Sequence, residues 1–262
     1  VLSRDMARTV TAAIILIGDE LLSGRTQDSN LKTIAEFLNP LGVEIREARV
    51  IADNHETIVA TVQHLRRAHD YVFTTGGIGP THDDITADAV AAAFGRTIDV
   101  RPDALAVLSS YYAERGTEMN ESRLRMARIP AGAELLANPV SGAPGFRLGN
   151  VFVLAGVPSI MRGMLEDVGH RIEGGAVVHQ HTVRAKGVRE GDIAVPLGAL
   201  AKARPEVNFG SYPWMKLGKS GTDFGVNLVA RCRDPDLIAA AVDAMAEILR
   251  AQGAKPEIDP KN

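Results

Sequence analysis

Apolar residues along this chain recur with two spacings, one of strands and one of helices. Residues 11–17, Thr11-Ala12-Ala13-Ile14-Ile15-Leu16-Ile17, form a short, nearly unbroken apolar run, which predicts a strand buried on both faces. Residues 29–38 carry an amphipathic helical pattern that Asn39-Pro40 ends, with Gly42 beyond. Alternation over residues 43–51 predicts a second strand, and residues 56–69 read as a helix. The apolar residues 71–75 supply a third strand, with a helix expected over residues 84–94. Residues 102–128 look largely helical, residues 151–154 return as a core strand, and residues 159–168 read as a helix.

Strands that alternate with helices in this way predict an α/β fold, a three-layer α/β/α arrangement around a mostly parallel sheet. In such folds ligands bind outside the carboxyl ends of the strands. The texture changes after Gly174-Gly175, the expected linker. Beyond it, strand patterns at residues 179–185, 207–212 and 224–231 are interleaved with helical ones at 191–202 and 235–252. That βαββα order predicts a smaller α+β domain with helices on one face of an antiparallel sheet. The expected boundaries are 9–173 for the first domain and 176–254 for the second.

Composition narrows the function classes without choosing one. The 262 residues are 45% hydrophobic and 23% charged, enough to bury a full core. A net charge of −3 makes no electrostatic case for nucleic acid or for an anionic membrane as partner. No apolar run reaches the length of a membrane span, and Cys232, the single cysteine, excludes an internal disulfide. The first residues lack the basic and apolar regions of a secretory signal, so the expected location is the cytoplasm.

The candidate chemistry concentrates in Thr74-Thr75-Gly76-Gly77-Ile78-Gly79-Pro80-Thr81-His82-Asp83-Asp84-Ile85-Thr86. Three glycines in four positions at a strand end let the backbone approach a ligand, and the N-terminus of the following helix offers amides to an anion. Asp83 and Asp84 add hard oxygen ligands suited to Mg²⁺ bound to phosphate. The same residues equally suit a plain turn in which an aspartate caps the helix.

This string resembles the GGxGPTxDD[IL]T signature of the molybdopterin-binding family of molybdenum-cofactor biosynthesis, in the branch that includes the N-terminal region of CinA proteins. The resemblance extends to Ile17-Gly18-Asp19-Glu20-Leu21-Leu22-Ser23-Gly24, Asp28-Ser29-Asn30, Ala52-Asp53-Asn54, the loop Asn138-Pro139-Val140-Ser141-Gly142-Ala143-Pro144-Gly145-Phe146, and Leu154-Ala155-Gly156-Val157-Pro158. It departs at Ser159-Ile160-Met161 and around Gly116 to Met126, changes that touch the pocket rim and leave the substrate open. No segment resembles the C-terminal amidase domain of full-length CinA, so deamidation is not carried over.

The resemblance implies that Asp84 and Asp53 are catalytic and hold a divalent metal, Mg²⁺ or else Co²⁺ or Mn²⁺. It also implies a nucleotide or pterin pocket built from Gly18, Asp19, Glu20, Ser23, Gly24, Asn30, Thr75, Gly76, Gly77, Gly79, Pro80, Thr81, Asp83, Thr86, Pro144 and Gly156. From the residues alone, Asp53-Asn54-His55-Glu56 also has the spacing of a capping box, and Asp28 to Asn30 suit a helix start. His82 lies at a variable position of the signature, and His179 and His181 lack a third ligand at metal spacing. Arg25, Arg123, Arg125 and Arg147 are candidates for phosphate contact, while Tyr212-Pro213-Trp214 suggests a rigid aromatic loop. The activity implied is metal-dependent pyrophosphate cleavage of ADP-ribose, FAD or a related dinucleotide. Nucleotidyl transfer to molybdopterin, or a non-catalytic pterin- or nucleotide-binding module, are the alternatives. The resemblance also implies a homo-oligomer with a small-molecule partner.

Overall fold

Strand β1 (Val10–Ile17) is buried along nearly its whole length, so its side chains must divide between two cores. Ala13, Ile15 and Ile17 face one core, and Ala12, Ile14 and Leu16 face the other. That division follows from the two-residue period of a strand and sets up three layers. The computed structural model, which describes residues 8–218 and 221–259, falls into two units, one up to Ala176 and one from Val177.

In the first unit β1 is followed by a one-turn helix α1 (Asp19–Leu22), helix α2 (Asn30–Leu38), strand β2 (Val43–Ile51), helix α3 (His55–Ala68) and strand β3 (Tyr71–Thr75). Helix α4 (Thr86–Ala93), strand β4 (Ile98–Val100), helix α5 (Pro102–Ala113) and helix α6 (Glu121–Arg125) come next. Strands β5 (Arg128–Pro130), β6 (Glu134–Leu136), β7 (Gly145–Leu148) and β8 (Val151–Leu154) precede helix α7 (Pro158–Val168). The main sheet runs β2-β1-β3-β8-β7-β6, with β2, β1, β3 and β8 parallel and β7 and β6 antiparallel. One face packs on α3, α4 and α5 through Ile58, Val62, Leu65, Val90 and Leu108. The opposite face packs on α2 and α7 through Ile34, Leu38, Met161 and Leu165. Phe73 and Phe152, neighbours on β3 and β8, stack at 5.0 Å with an interplanar angle of 9° inside this second core.

Two expectations for this unit are refined. The largely helical stretch over residues 102–128 is two helices rather than one, α5 ending at Ala113 and α6 running from Glu121 to Arg125, and β5 starts at Arg128. Gly116, with φ +61, turns the chain there, and Arg128 then pairs by two hydrogen bonds, 2.6 and 2.9 Å, with Asp88 of α4. The helix expected from residue 84 begins at Thr86 because the Asp84 carboxylate is engaged in the preceding turn.

The second unit contains strand β9 (His179–Lys186), helix α8 (Glu190–Ala203), strand β10 (Asn208–Gly218), strand β11 (Gly221–Cys232), helix α9 (Pro235–Ala251) and strand β12 (Glu257–Ile258). Its sheet, ordered β10-β11-β9-β12, is antiparallel and has its own core of Val183, Val226, Leu228, Ile238, Met245 and Leu249. Asp234 caps α9, accepting from Asp236 N at 2.8 Å. Tyr212-Pro213-Trp214 is strand rather than loop, paired in register with Asn227, Val226 and Gly225 of β11. Cys232 is buried and free. Among the described residues no helix is long and apolar enough to cross a membrane.

Candidate functional site

The connection after β1 leads through α2 to β2 on one side, whereas β3 lies on the other side of β1. This reversal opens a crevice at the carboxyl ends of β1 and β3, where doubly wound sheets place their ligands. Gly76 closes its floor. Its φ of +102° lies in the region that disfavours side chains, and a Cβ there would sit 2.2 Å from the Ile17 carbonyl oxygen of β1. Gly156, after β8, also approaches closely, since its own Cβ would lie 3.2 Å from Gly76 Cα. Three neighbouring strand ends thus meet backbone to backbone. Gly77, at φ +68°, then turns the chain so that its carbonyl accepts the Thr86 amide at 2.9 Å. That first amide of α4 is therefore committed to the loop and not to a ligand.

The resulting cleft has a volume of about 460 Å³. Of the sequence-predicted residues, Gly18, Glu20, Asp53, Gly76, Gly77, Gly79, Pro80, Asp83, Asp84 and Gly156 line it. Asp84 does not cap α4, whose N-cap is Ile85 and carries no side-chain cap bond. Its Oδ2 instead accepts from Thr81 N at 2.8 Å and from Thr81 Oγ1 at 2.5 Å, closing the turn above Gly79. Asp53 is not a cap either, since Asn54 Oδ1 accepts from Thr57 N at 2.9 Å and begins α3. Asp53 Oδ2 accepts from Asp19 N at 3.0 Å, and Asp19 Oδ1 from Asp53 N at 3.4 Å, a reciprocal brace between the loops after β1 and β2.

Burial raises the Asp53 carboxyl above the ordinary aspartate value; the Asp19 amide opposes the shift, and the charges of Asp19, Glu20 and Asp83 add to it. A cation would relieve that crowding. The donor set therefore suits a hard divalent ion that completes its shell with water and ligand phosphate. Among the described residues no three His, Cys, Asp or Glu side chains form a ready metal cage, so Asp53 and Asp84 alone do not enclose an ion.

Other predicted residues serve the scaffold. Asn30 is buried and donates through Nδ2 to Gly156 O at 2.7 Å, tying α2 to the loop after β8. Asp28 accepts from the amides of Asn30 and Leu31, both at 3.1 Å, and so starts α2. Thr75 and Thr86 are buried, and Thr81 holds Asp84. Ser23 donates to Glu20 O at 3.3 Å, while Gly24 is exposed at φ +72°. Neither lines the cleft, and nor does Asp19. Pro144 lines a small cavity behind Asp84, together with Arg125, Asp88 and Arg128. Arg147 lies over Phe152 with its carbon 5.3 Å from the ring centre, and His82 is exposed outside the cleft.

Sequence reasoning did not select Tyr112, Met126, Asn138, Ser141, Ala143, Val157, Ile160 or Met164, which also line the cleft, as do Ile17, Ile78 and Ala155. Asn138, Ser141, Ala143 and Val157 belong to stretches already matched as motifs, so their signal was present. Met126 and Ile160 lie in the stretches whose departures from the signature touch the pocket rim, whereas Tyr112 and Met164 offered no signal, being indistinguishable by pattern from core residues.

The family model described as "Probable molybdopterin binding domain" matches residues 13–174, more than half of the chain. A second, described as "FAD synthase, middle domain", matches residues 178–257. A protein of Aeropyrum pernix is 36% identical over 249 residues, covering 92% of this chain and 90% of that one. A CinA-like protein of Desulfosudis oleivorans is 34% identical over 209 residues, covering 76% of this chain but only 51% of its own length. The crystal structure of a CinA protein from Thermoplasma acidophilum, of unknown function, matches with a TM-score of 0.57 at 33% identity, covering 62% of this chain and 98% of that one. Fold, glycine loop and these matches agree, and the chain belongs to the molybdopterin-binding domain family, in its CinA-like branch.

Proposed function

We propose that the cleft binds a nucleotide containing a diphosphate linkage and hydrolyses that linkage with the help of a divalent metal, as a nucleotide pyrophosphatase. The observation that carries this reading is the lining itself: a glycine turn at the strand ends faces four carboxylates, Glu20, Asp53, Asp83 and Asp84, with no Lys, Arg or His among the lining residues. A bare diphosphate would be repelled by such walls, whereas one neutralised by Mg²⁺, Co²⁺ or Mn²⁺ is complementary to them. Asp53 and Asp84 are the residues that would hold the ion. Bound there, a divalent cation supplies charge neutralisation at the phosphoryl group and makes water more acidic. The chain's own part is to hold the substrate. Gly76, Gly77 and Gly79 admit the diphosphate to the backbone, and Ala143, Val157, Ile160 and Met164 give the rest of the molecule an apolar wall. In the overall reaction water adds to one phosphorus, and the bridging oxygen leaves with the other phosphate.

The match of the second unit to a domain of FAD synthase favours FAD as one substrate, with ADP-ribose and related dinucleotides as the others. The test is incubation of the purified protein with ADP-ribose and with FAD under each metal, with AMP release followed by chromatography. Absence of AMP under every metal refutes the reading. The match of the first unit to a molybdopterin-binding domain supports a second reading, nucleotidyl transfer to molybdopterin, which adenylylated molybdopterin detected by mass spectrometry would distinguish.

A further inference from the structure

The walls of the cleft contain few side-chain proton donors, and their inventory is short. Only Tyr112, Asn138 and Ser141 among the lining residues carry an N–H or O–H side-chain group. Asn138 is spent, since its Nδ2 donates to Ser141 Oγ at 2.6 Å and to Ala143 O at 2.7 Å. The Ser141 Oγ is occupied as the acceptor of that Asn138 bond, and among the described residues nothing accepts from or donates to the Tyr112 hydroxyl. The O–H groups of Ser141 and Tyr112 are therefore the two left to a ligand, and of these only that of Tyr112 belongs to a ring held by its neighbours.

The Tyr112 ring is held in place nonetheless. The Arg123 guanidinium carbon lies 5.0 Å from its centre, and the Tyr111 ring meets it at 5.5 Å with an interplanar angle of 88°. Tyr111 is anchored in turn. Arg115 sits 3.6 Å from its ring centre, a Cβ on Gly142 would lie 2.2 Å from its Cγ, and its hydroxyl donates to Val140 O at 2.9 Å. The first tyrosine of the pair thus fastens the end of α5 to the 138–142 loop, and the second, with its ring held, lines the cleft with its O–H unspent. Pre-ordered donors of this kind add affinity because little freedom is lost on binding.

We infer that Tyr112 is a ligand-binding residue whose O–H donates to an anionic phosphoryl oxygen of the diphosphate, an inference that rests on the nucleotide reading above. Such a donor partly offsets the excess of carboxylates around the ligand, and it selects phosphoryl oxygen over any group that cannot accept a proton.

The experiment uses magnesium pyrophosphate as probe and calorimetric titration of the full chain. Tyr112→Phe keeps the ring, its guanidinium contact and its edge contact, and removes only the hydroxyl. Its affinity for the probe is expected to fall about tenfold or more, the scale of a hydrogen bond to a charged group, with the melting temperature unchanged. Wild-type protein that does not bind magnesium pyrophosphate overturns both the nucleotide reading and this inference. Wild type that binds, with Tyr112→Phe binding equally well, overturns this inference alone. Should Tyr112→Phe melt early, the wild-type chain labelled with 3-fluorotyrosine decides: the probe is expected to shift the Tyr112 fluorine resonance, and an unmoved resonance refutes the donor role.

Discussion

Replacing Asp84 by Asn separates a structural carboxylate from a chemical one. The side chain is half-buried, and its Oδ2 accepts two hydrogen bonds from Thr81, at 2.8 Å from N and 2.5 Å from Oγ1. The asparagine carbonyl can accept both, so the turn over Gly79 should persist. The loss is the extra strength of bonds to a charged acceptor, about 1 kcal/mol, and no helix cap is removed because Asp84 is not the N-cap of α4. The charge itself is another matter. If Asp84 holds the metal, removing it should lower AMP release from ADP-ribose about a hundredfold, equivalent to about 2.7 kcal/mol of transition-state stabilisation. A readout independent of turnover accompanies it. At a metal concentration about a hundredfold above Kd, wild-type protein should gain about 2.7 kcal/mol of stability in thermal unfolding, and Asp84→Asn should gain much less. A folded Asp84→Asn protein with the wild-type rate and the wild-type metal-induced stabilisation refutes the assignment.

Three further outcomes are expected. Gly76→Ala places a side chain at φ +102° and 2.2 Å from Ile17 O, so it should cost about 2 kcal/mol or more in urea unfolding; an unchanged midpoint would contradict the close approach of β1 and β3. Asp53→Asn keeps an acceptor for the Asp19 amide while removing a carboxylate that burial and neighbouring acids hold above its ordinary value. A carboxyl raised in the folded state stabilises below its unfolded pKa and loses that contribution as pH rises through the folded value, so Asp53→Asn should match or exceed wild-type stability at pH 7 without metal, the advantage vanishing as both are acidified below the carboxylate range. Self-association, expected from the family resemblance, predicts a light-scattering mass of at least twice the 28.0 kDa of one chain, and a micromolar solution of monomers rejects it.

Much of this architecture was legible along the chain, because β1, β3 and β8 are buried on both faces and runs rich in apolar and β-branched residues satisfy that burial. The glycine turn was legible too, since Gly76 and Gly77 stand where no side chain fits. The short strands β4 to β7 were not, because three or four residues carry too little periodicity to distinguish them from loop or helix. Nor did local pattern decide what Asp53 does. The capping spacing before α3 suited it, yet Asn54 takes the cap, because Asp53 is drawn to the Asp19 amide from a loop 34 residues earlier. Tyr112 shows the same limit most clearly, being one of two adjacent tyrosines on a helix whose pattern treats them alike. In the fold Tyr111 packs on Gly142 and bonds to Val140, while Tyr112 lines the cleft. Hydrophobic burial is a property each residue carries along the chain, whereas the partner that a polar group meets depends on which distant segments the fold brings together. The sequence by itself therefore determined the layers, the strand ends and the glycine turn, and the tertiary structure alone decided which side chains share the cleft.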